Sequence, residues 1–217
     1  VCVSNAAWES FRTVSGLTQN VEMHLNPLNS DNVRAMAEKK VDLPTDLPVI
    51  CAVGRLSAEK GFERLVYIHR RLLDQGIRHR LVIVGDGMDR GYIERTIQAT
   101  DTQDTVILAG YQANPYPYMK AGDIYVQTSR FEGYCLTLTE ARILNRPCVA
   151  TNFDVVYDQM VQGENGLVVE MTPEAVAEGI LRLMRDPALY AHIRQYQQSE
   201  GKGNEGEIQR VFRILEE

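Results

Sequence analysis

Val49-Ile50-Cys51-Ala52-Val53-Gly54-Arg55-Leu56-Ser57-Ala58-Glu59-Lys60-Gly61 joins an unbroken apolar run to a charged loop bounded by two glycines. A run apolar at every position, without polar alternation, suits a strand buried on both faces, as in parallel sheets covered by helices. Directly after Gly61, the residues Phe62, Leu65, Val66, Ile68, Leu72 and Leu73 recur near helical spacing. Phe62–Gln75 therefore reads as an amphipathic helix closed by Gly76. Strand, glycine turn and helix together make the opening of a β-α-β unit.

The same rhythm continues to the end of the chain. Further strands are predicted at Leu81–Val84, Thr105–Leu108, Ile124–Gln127, Cys148–Ala150 and Leu167–Val169, and helices at Ile93–Ala99, Leu138–Leu144, Pro173–Arg185 and Ala188–Gln198. Short apolar runs alternating with helical segments specify an α/β fold, a Rossmann-like open parallel sheet with helices on both faces. Upstream, Val1–Ser4 reads as a strand, Asn5–Val14 as a helix and Val21–Leu25 as a strand, with a break at Asn26-Pro27 and a short helix over Asp31–Lys40. Val41–Pro48, with two prolines and two aspartates, suits a linker or exposed loop. Gly201–Gly206 reads as a flexible break before a last helix, Glu207–Leu215. The start at Val1, without Met and already in strand-like sequence, suggests a piece of a longer protein.

With 217 residues, 44% of them apolar, the chain has material for a sizeable core without disulfide or metal support. The formal charge of -6 and the absence of a basic stripe speak against a nucleic-acid surface. No apolar run approaches the ~20 residues of a membrane span, and no signal peptide is visible. Cys2, Cys51, Cys135 and Cys148 have no C-x-x-C spacing, and three of them fall in apolar segments. They read as buried thiols in a reducing, cytoplasmic setting.

Three stretches carry chemistry. At the carboxyl end of the first strand of the regular part, Arg55 and Lys60 would project into the crevice where open α/β sheets bind ligands. Two fixed cations there suit a diphosphate; a glycine turn with solvated charges is the plainer reading. Val84-Gly85-Asp86-Gly87-Met88-Asp89-Arg90-Gly91 superficially resembles a dinucleotide fingerprint, but Asp86 and Asp89 would face the pyrophosphate, so tight-turn glycines explain it better. The third stretch, Ser129–Ala141, is a turn entering a helix near Tyr134, with Glu132 in the loop and Glu140 about two turns into the helix. Unpaired first-turn N–H groups favour an anion such as phosphate, while the two glutamates suit hydroxyls of a ribose and a sugar better than general acid and base. Capping and surface charge form the alternative, since Thr137 and Glu140 have the spacing of a capping box. His24, His69, His79 and His192 are scattered, with solvated roles expected for His69 and His192 on helices, and no metal signature is present. Tyr111, Tyr116 and Tyr118 lie in a proline-broken loop, Tyr111–Tyr118, that reads as packed rather than as an aromatic wall for a base.

Gly54-Arg55 through Lys60-Gly61, Val84–Gly87, Glu132 and Glu140 separated by seven residues, Pro147–Thr151 and Gly163–Val169 resemble, in order and spacing, the C-terminal donor-binding half of retaining GT-B glycosyltransferases of family four (glycosyl transferases group 1). The likeness runs from about Val49 to Arg185. It implies that residues 1–45 are the remnant of an acceptor-binding half plus linker, 46–200 the nucleotide-sugar-binding domain and 201–217 a C-terminal helix. It further implies transfer of a sugar from a UDP-sugar or GDP-sugar with retention at the anomeric carbon, without a metal, cofactor or protein nucleophile, in polysaccharide or glycoconjugate assembly. Arg55 and Lys60 would neutralise the donor diphosphate, Glu132 would hold the sugar and Glu140 the ribose. Backbone around Tyr134, Cys135, Leu136 and Thr137 would reach sugar and phosphate, with Gly54 and Gly61 framing the cationic loop and Gly110 and Tyr111 bordering the base. The missing N-terminal acceptor domain would supply the other wall and any membrane contact, so this piece alone is expected to bind rather than turn over. Two departures bear on donor identity: Cys135 stands where the family often has glycine, and Asn152–Tyr157 lacks the glycine pair common after that strand. A nicotinamide-dependent oxidoreductase using the Gly85–Gly91 loop and a non-catalytic nucleotide-binding domain are the competing readings.

Overall fold

The structure, a computed structural model, describes residues 2–17, 28–44 and 46–200. The expectations at Val21–Leu25, Asn26-Pro27, Gly201–Gly206 and Glu207–Leu215 lie outside these residues. Among the described residues the chain builds one six-stranded parallel sheet from β1 (Val49–Val53), β2 (Arg80–Val84), β3 (Val106–Gly110), β4 (Ile124–Gln127), β5 (Cys148–Thr151) and β6 (Leu167–Val169). Their order is β3-β2-β1-β4-β5-β6. The chain thus lays strands outward on one side of β1, then returns to the other side with β4, which pairs Ile50 with Ile124 and Cys51 with Tyr125.

All five residues of β1 are buried, and they alternate between the two faces as a pleated strand requires. Ile50 and Ala52 pack with α3 (Phe62–Asp74), α4 (Arg90–Ala99) and α7 (Pro173–Arg185), through residues such as Leu65, Ile93 and Ile180. Val49, Cys51 and Val53 point the other way, toward α2 (Ser30–Met36), α5 (Tyr116–Ala121) and α6 (Leu136–Ile143), meeting Val33, Met119 and Leu138. Helix α8 (Pro187–Glu200) follows α7 and adds Ile193 to the first of these cores.

Three expectations are corrected. Ser4 does not end a strand: its hydroxyl accepts a hydrogen bond from Ala7 N at 3.1 Å and caps α1 (Asn5–Ser15), which closes on the left-handed Gly16. Serine is a strong N-cap, and that local bond outweighs the β-propensity of Val-Cys-Val. The segment Tyr111–Tyr118 is not all loop, because α5 begins at Tyr116 with Pro115 as its N-cap. Pro117 lies in the first turn, where a missing N–H leaves no helical bond unmade. Nor is His69 solvated on its helix: it is 1% exposed, and His79 is fully buried beside it.

The two imidazoles form a chain, with His69 Nδ1 2.8 Å from His79 Nε2, His69 Nε2 2.8 Å from Thr105 Oγ1, and His79 Nδ1 2.8 Å from the Ile77 carbonyl. Since Ile77 O only accepts, His79 donates from Nδ1 and accepts at Nε2, which makes His69 the donor from Nδ1 and Thr105 the donor to His69 Nε2. Both rings are neutral in this scheme. Burial, with His79 and Arg70 nearby, pushes His69 down to about 3, and burial also lowers His79. The unfolded chain takes up a proton near pH 6.5 that the folded chain refuses, so stability is lost as pH falls below that value. From His69 alone the loss is expected to reach about 2 kcal/mol at pH 5 relative to pH 7.5. Urea unfolding at the two pH values measures it; equal stabilities contradict a neutral buried pair.

Candidate active site

Where β4 returns beside β1, the loops leaving the two carboxyl ends diverge and open a crevice, the usual ligand position in such sheets. The β1 loop contributes Gly54, Arg55, Lys60 and Gly61, and the β4 loop contributes Ser129, Glu132 and the entry to α6. Gly61 caps α3 at φ +66, and a Cβ there would lie 2.7 Å from Thr128 O. This close approach draws the start of α3 against the end of β4. Thr128 Oγ1 donates to Lys60 O at 2.9 Å, Arg130 N donates to Glu59 O at 2.7 Å, and the Arg64 guanidinium bonds Thr128 O, so the two loops are laced together.

Lys60 and Glu132, 72 residues apart in sequence, are brought into direct contact, with Nζ 2.5 Å from Oε1. Their side chains are only 16% and 10% exposed. Glu132 Oε1 also accepts from Ser129 Oγ at 2.5 Å and from Gln127 Nε2 at 2.9 Å. Charge-assisted bonds of this kind are roughly twice as strong as neutral ones, and together they offset the burial of the carboxylate. Glu132 lines a cavity of 510 Å³ together with Phe131, Gly133 and the α1 residues Ser10, Phe11 and Val14.

Arg55 is exposed and does not join that pair. It lines a separate 380 Å³ cavity with Gly54, Asp86, Tyr111 and Pro115, over the ends of β1, β2 and β3. Gly110 ends β3 at φ +70, directing the chain to Tyr111, which is 75% exposed at this cavity. Tyr116 and Tyr118 pack instead against the sheet core. The α6 helix begins at Leu136 rather than near Tyr134, because Cys135 is its N-cap with φ 71 and ψ 63. That left-handed conformation favours glycine, and Cys135 holds it with its side chain buried and its Sγ 3.7 Å from Thr137 Oγ1. Burial pushes the Cys135 thiol up to about 12, as it does Cys51 and Cys148, so these are inert thiols rather than nucleophiles.

Glu140 lies one turn into α6, not two, with the Tyr116 hydroxyl donating to its Oε1 at 3.1 Å. Desolvation raises its carboxyl above the ordinary value, and Tyr116 is pushed up to about 12 by burial and by Glu140. Among the described residues no group of three or more His, Cys, Asp or Glu is placed to hold a metal.

The Gly85–Gly91 loop is scaffold. Gly85 N donates to Gly110 O at 2.8 Å, Gly87 N to Asp86 Oδ1 at 2.8 Å and Asp89 N to Leu56 O at 3.0 Å, while Gly54 N and Leu56 N donate back to Val84 O and Asp86 O. The backbone N–H groups of Gly85, Gly87, Asp89 and Arg90 are thus engaged within the protein.

Two glutamines escaped the sequence reading. Gln127 ends β4 and is 2% exposed; a polar residue closing a strand buried on both faces was the available signal. Gln159, after the short 3-10 helix Asp154–Asp158, donates to Tyr134 O and accepts from Thr139 Oγ1 at 2.6 Å, tying down the turn into α6. No local pattern marks it, because both partners are 20 or more residues away.

Residues 33–200 match the family described as glycosyl transferases group 1. The chain belongs to that family. Among the relatives of this group 1 member, an alpha-D-kanosaminyltransferase of Streptomyces kanamyceticus is 34% identical over 148 residues, 66% of this chain and 38% of that protein. LpsE of Rhizobium meliloti, a lipopolysaccharide core biosynthesis glycosyltransferase, is 28% identical over 195 residues, 89% of this chain and 53% of that protein. The chain thus spans about half the length, or less, of these curated relatives. In fold it is similar to Anabaena Alr3699/HepE, solved in complex with UDP and glucose, at a TM-score of 0.86 and 19% identity, covering 99% of this chain and 62% of that one. The sheet is accordingly the Rossmann-like arrangement of a GT-B glycosyltransferase half. Family membership and the occupied Gly85 loop leave the oxidoreductase reading without support.

Proposed function

We propose that this group 1 chain binds the nucleotide-diphosphate sugar of a retaining glycosyltransferase acting in polysaccharide or glycoconjugate assembly on the cytoplasmic side, as the C-terminal half of a GT-B enzyme. The observation that carries the reading is the crevice between β1 and β4, which sets cationic Lys60 and carboxylate Glu132 side by side at the start of α6, with Arg55 on the adjoining cavity wall. The base and ribose occupy the cavity bordered by Gly110, Tyr111 and Gln112, with Glu140 accepting ribose hydroxyls. Backbone N–H groups at Leu136 and Thr137 and the cations Arg55 and Lys60 receive the diphosphate. The transferred sugar lies toward Glu132 and the 510 Å³ cavity.

As the bond to the anomeric carbon breaks, negative charge collects on the departing diphosphate. In this reading Arg55, Lys60 and the first turn of α6 receive that charge, and fixed charges and dipoles of this kind need little reorganisation at the moment of reaction. HepE in complex with UDP and glucose and the sugar-transferring relatives support this substrate class. Acceptor recognition and the second wall of the cleft belong to the N-terminal half, so the chain alone is expected to bind without turnover. A thermal-shift series with UDP, GDP, ADP and their sugars tests the reading. At a hundredfold excess over Kd, the cognate nucleotide is expected to raise Tm by about 5–10 °C. A flat response to all of them, with a shift on NADH, contradicts it.

A further inference from the structure

We propose that Gln127 is a positioning residue for the donor sugar: it holds Glu132 so that one carboxylate oxygen is saturated by protein and the other is presented to a sugar hydroxyl. The inference rests on the crevice being the donor site. Gln127 uses the full capacity of its amide. Nε2 donates to Ser129 Oγ at 2.7 Å and to Glu132 Oε1 at 2.9 Å, while Oε1 accepts from Tyr125 OH at 2.7 Å and from Thr137 Oγ1 at 3.3 Å. A flipped amide would set its oxygen against the Glu132 carboxylate and its N–H groups against two hydroxyls that donate here, so the orientation is fixed by its surroundings. Ser129, fully buried, accepts from Gln127 and passes its own proton toward Glu132.

Three donors therefore converge on Glu132 Oε1: Lys60 Nζ, Gln127 Nε2 and Ser129 Oγ. None of them bonds Oε2. Glu132 also lines the 510 Å³ cavity, so Oε2 is the acceptor left for a ligand hydroxyl there. Lys60 is able to turn part of its charge to a phosphate, since an ammonium carries three donors, but Gln127 has no free donor for the nucleotide and meets the start of α6 only through the long bond from Thr137 Oγ1. Its stronger, charge-assisted contact is the one to Glu132, so its influence falls chiefly on the sugar.

The test is calorimetric titration of the 217-residue chain with UDP, UDP-glucose, GDP and GDP-mannose, comparing wild type with Gln127→Met, which keeps the volume and removes every hydrogen bond. For the nucleotide that binds, the ratio of sugar-nucleotide to nucleotide affinity is expected to fall at least about tenfold, with the affinity for the bare nucleotide changed less than about twofold. Ser129→Ala removes one donor from the same oxygen and is expected to shift the ratio in the same direction by less; it decides the matter if Gln127→Met does not fold. An unchanged ratio, or equal loss for both ligands, overturns the assignment and leaves Gln127 a structural residue. Wild type binding none of the four ligands overturns the donor-site reading itself, and the proposal with it.

Discussion

Lys60→Ala is expected to destabilise the chain by about 1–3 kcal/mol, because it leaves the half-buried carboxylate of Glu132 without its counter-charge, although Gln127 and Ser129 still donate to it. With side chains 16% and 10% exposed, neither partner is well solvated, so the pair differs from the surface ion pairs Arg71–Glu174 and Lys120–Glu38, which contribute little. The same substitution is expected to abolish measurable binding of the sugar nucleotide, since the diphosphate loses a cation placed at the start of α6. The two effects separate in the double variant Lys60→Ala/Glu132→Gln. Neutralising the stranded carboxylate restores most of the stability, while binding stays lost. Urea unfolding and calorimetry on the three proteins measure both. A single variant as stable as wild type contradicts the buried pair, and a double variant that binds contradicts the role of Lys60.

Gly85→Ala is expected to cost on the order of 4 kcal/mol, from backbone strain and a forced backbone displacement together. The residue sits at φ +142, and a Cβ would lie 1.9 Å from the Gly54 carbonyl oxygen. Relief requires moving either the end of β2 or Gly54, and Gly54 leads directly into Arg55. Nucleotide affinity is therefore expected to fall with stability. Gly163→Ala serves as the comparison: its φ is +80 but a Cβ meets nothing within 4 Å, so it is expected to cost about 1–2 kcal/mol and to leave binding intact. Equal effects of the two substitutions would show that the contact between the loops carries no weight.

The scaffold was legible where local chemistry and burial agree. Val49–Val53, Ile124–Gln127, Leu167–Val169 and Pro173–Arg185 have the bounds read from their apolar runs, and Pro173 follows the capping hydroxyl of Thr172. Strands covered on both faces leave little room for alternatives. The strand expected at Val1–Ser4 failed because a serine cap is decided by a few residues of context. Helix α5 was hidden by prolines that count as breakers in a loop but sit harmlessly in a first turn.

In the site, the carboxylates and cations were visible from residue type and order, and the left-handed conformation of Cys135 is one that favours glycine, the residue the family resemblance implies there. The pairing was not visible. Whether Lys60 faces a ligand alone or shares Glu132 depends on two loops meeting at the switch point, which only the strand order determines. The same holds for Gln159 and the His69–His79 chain, each defined by partners on other elements, whereas Gln127 bonds neighbours within ten residues whose side-chain directions the sequence does not display. Single-residue patterns carry no trace of such bonds.

Titration of the matching nucleoside diphosphate into wild type, Arg55→Ala and Glu140→Ala tests the donor site most directly. Saturable binding to wild type is expected, with at least about a tenfold loss in each variant, from removal of a phosphate cation in one and of a half-buried hydroxyl acceptor in the other. Affinity unchanged by both substitutions would contradict it, and would place the nucleotide, if it binds, somewhere other than the crevice between β1 and β4.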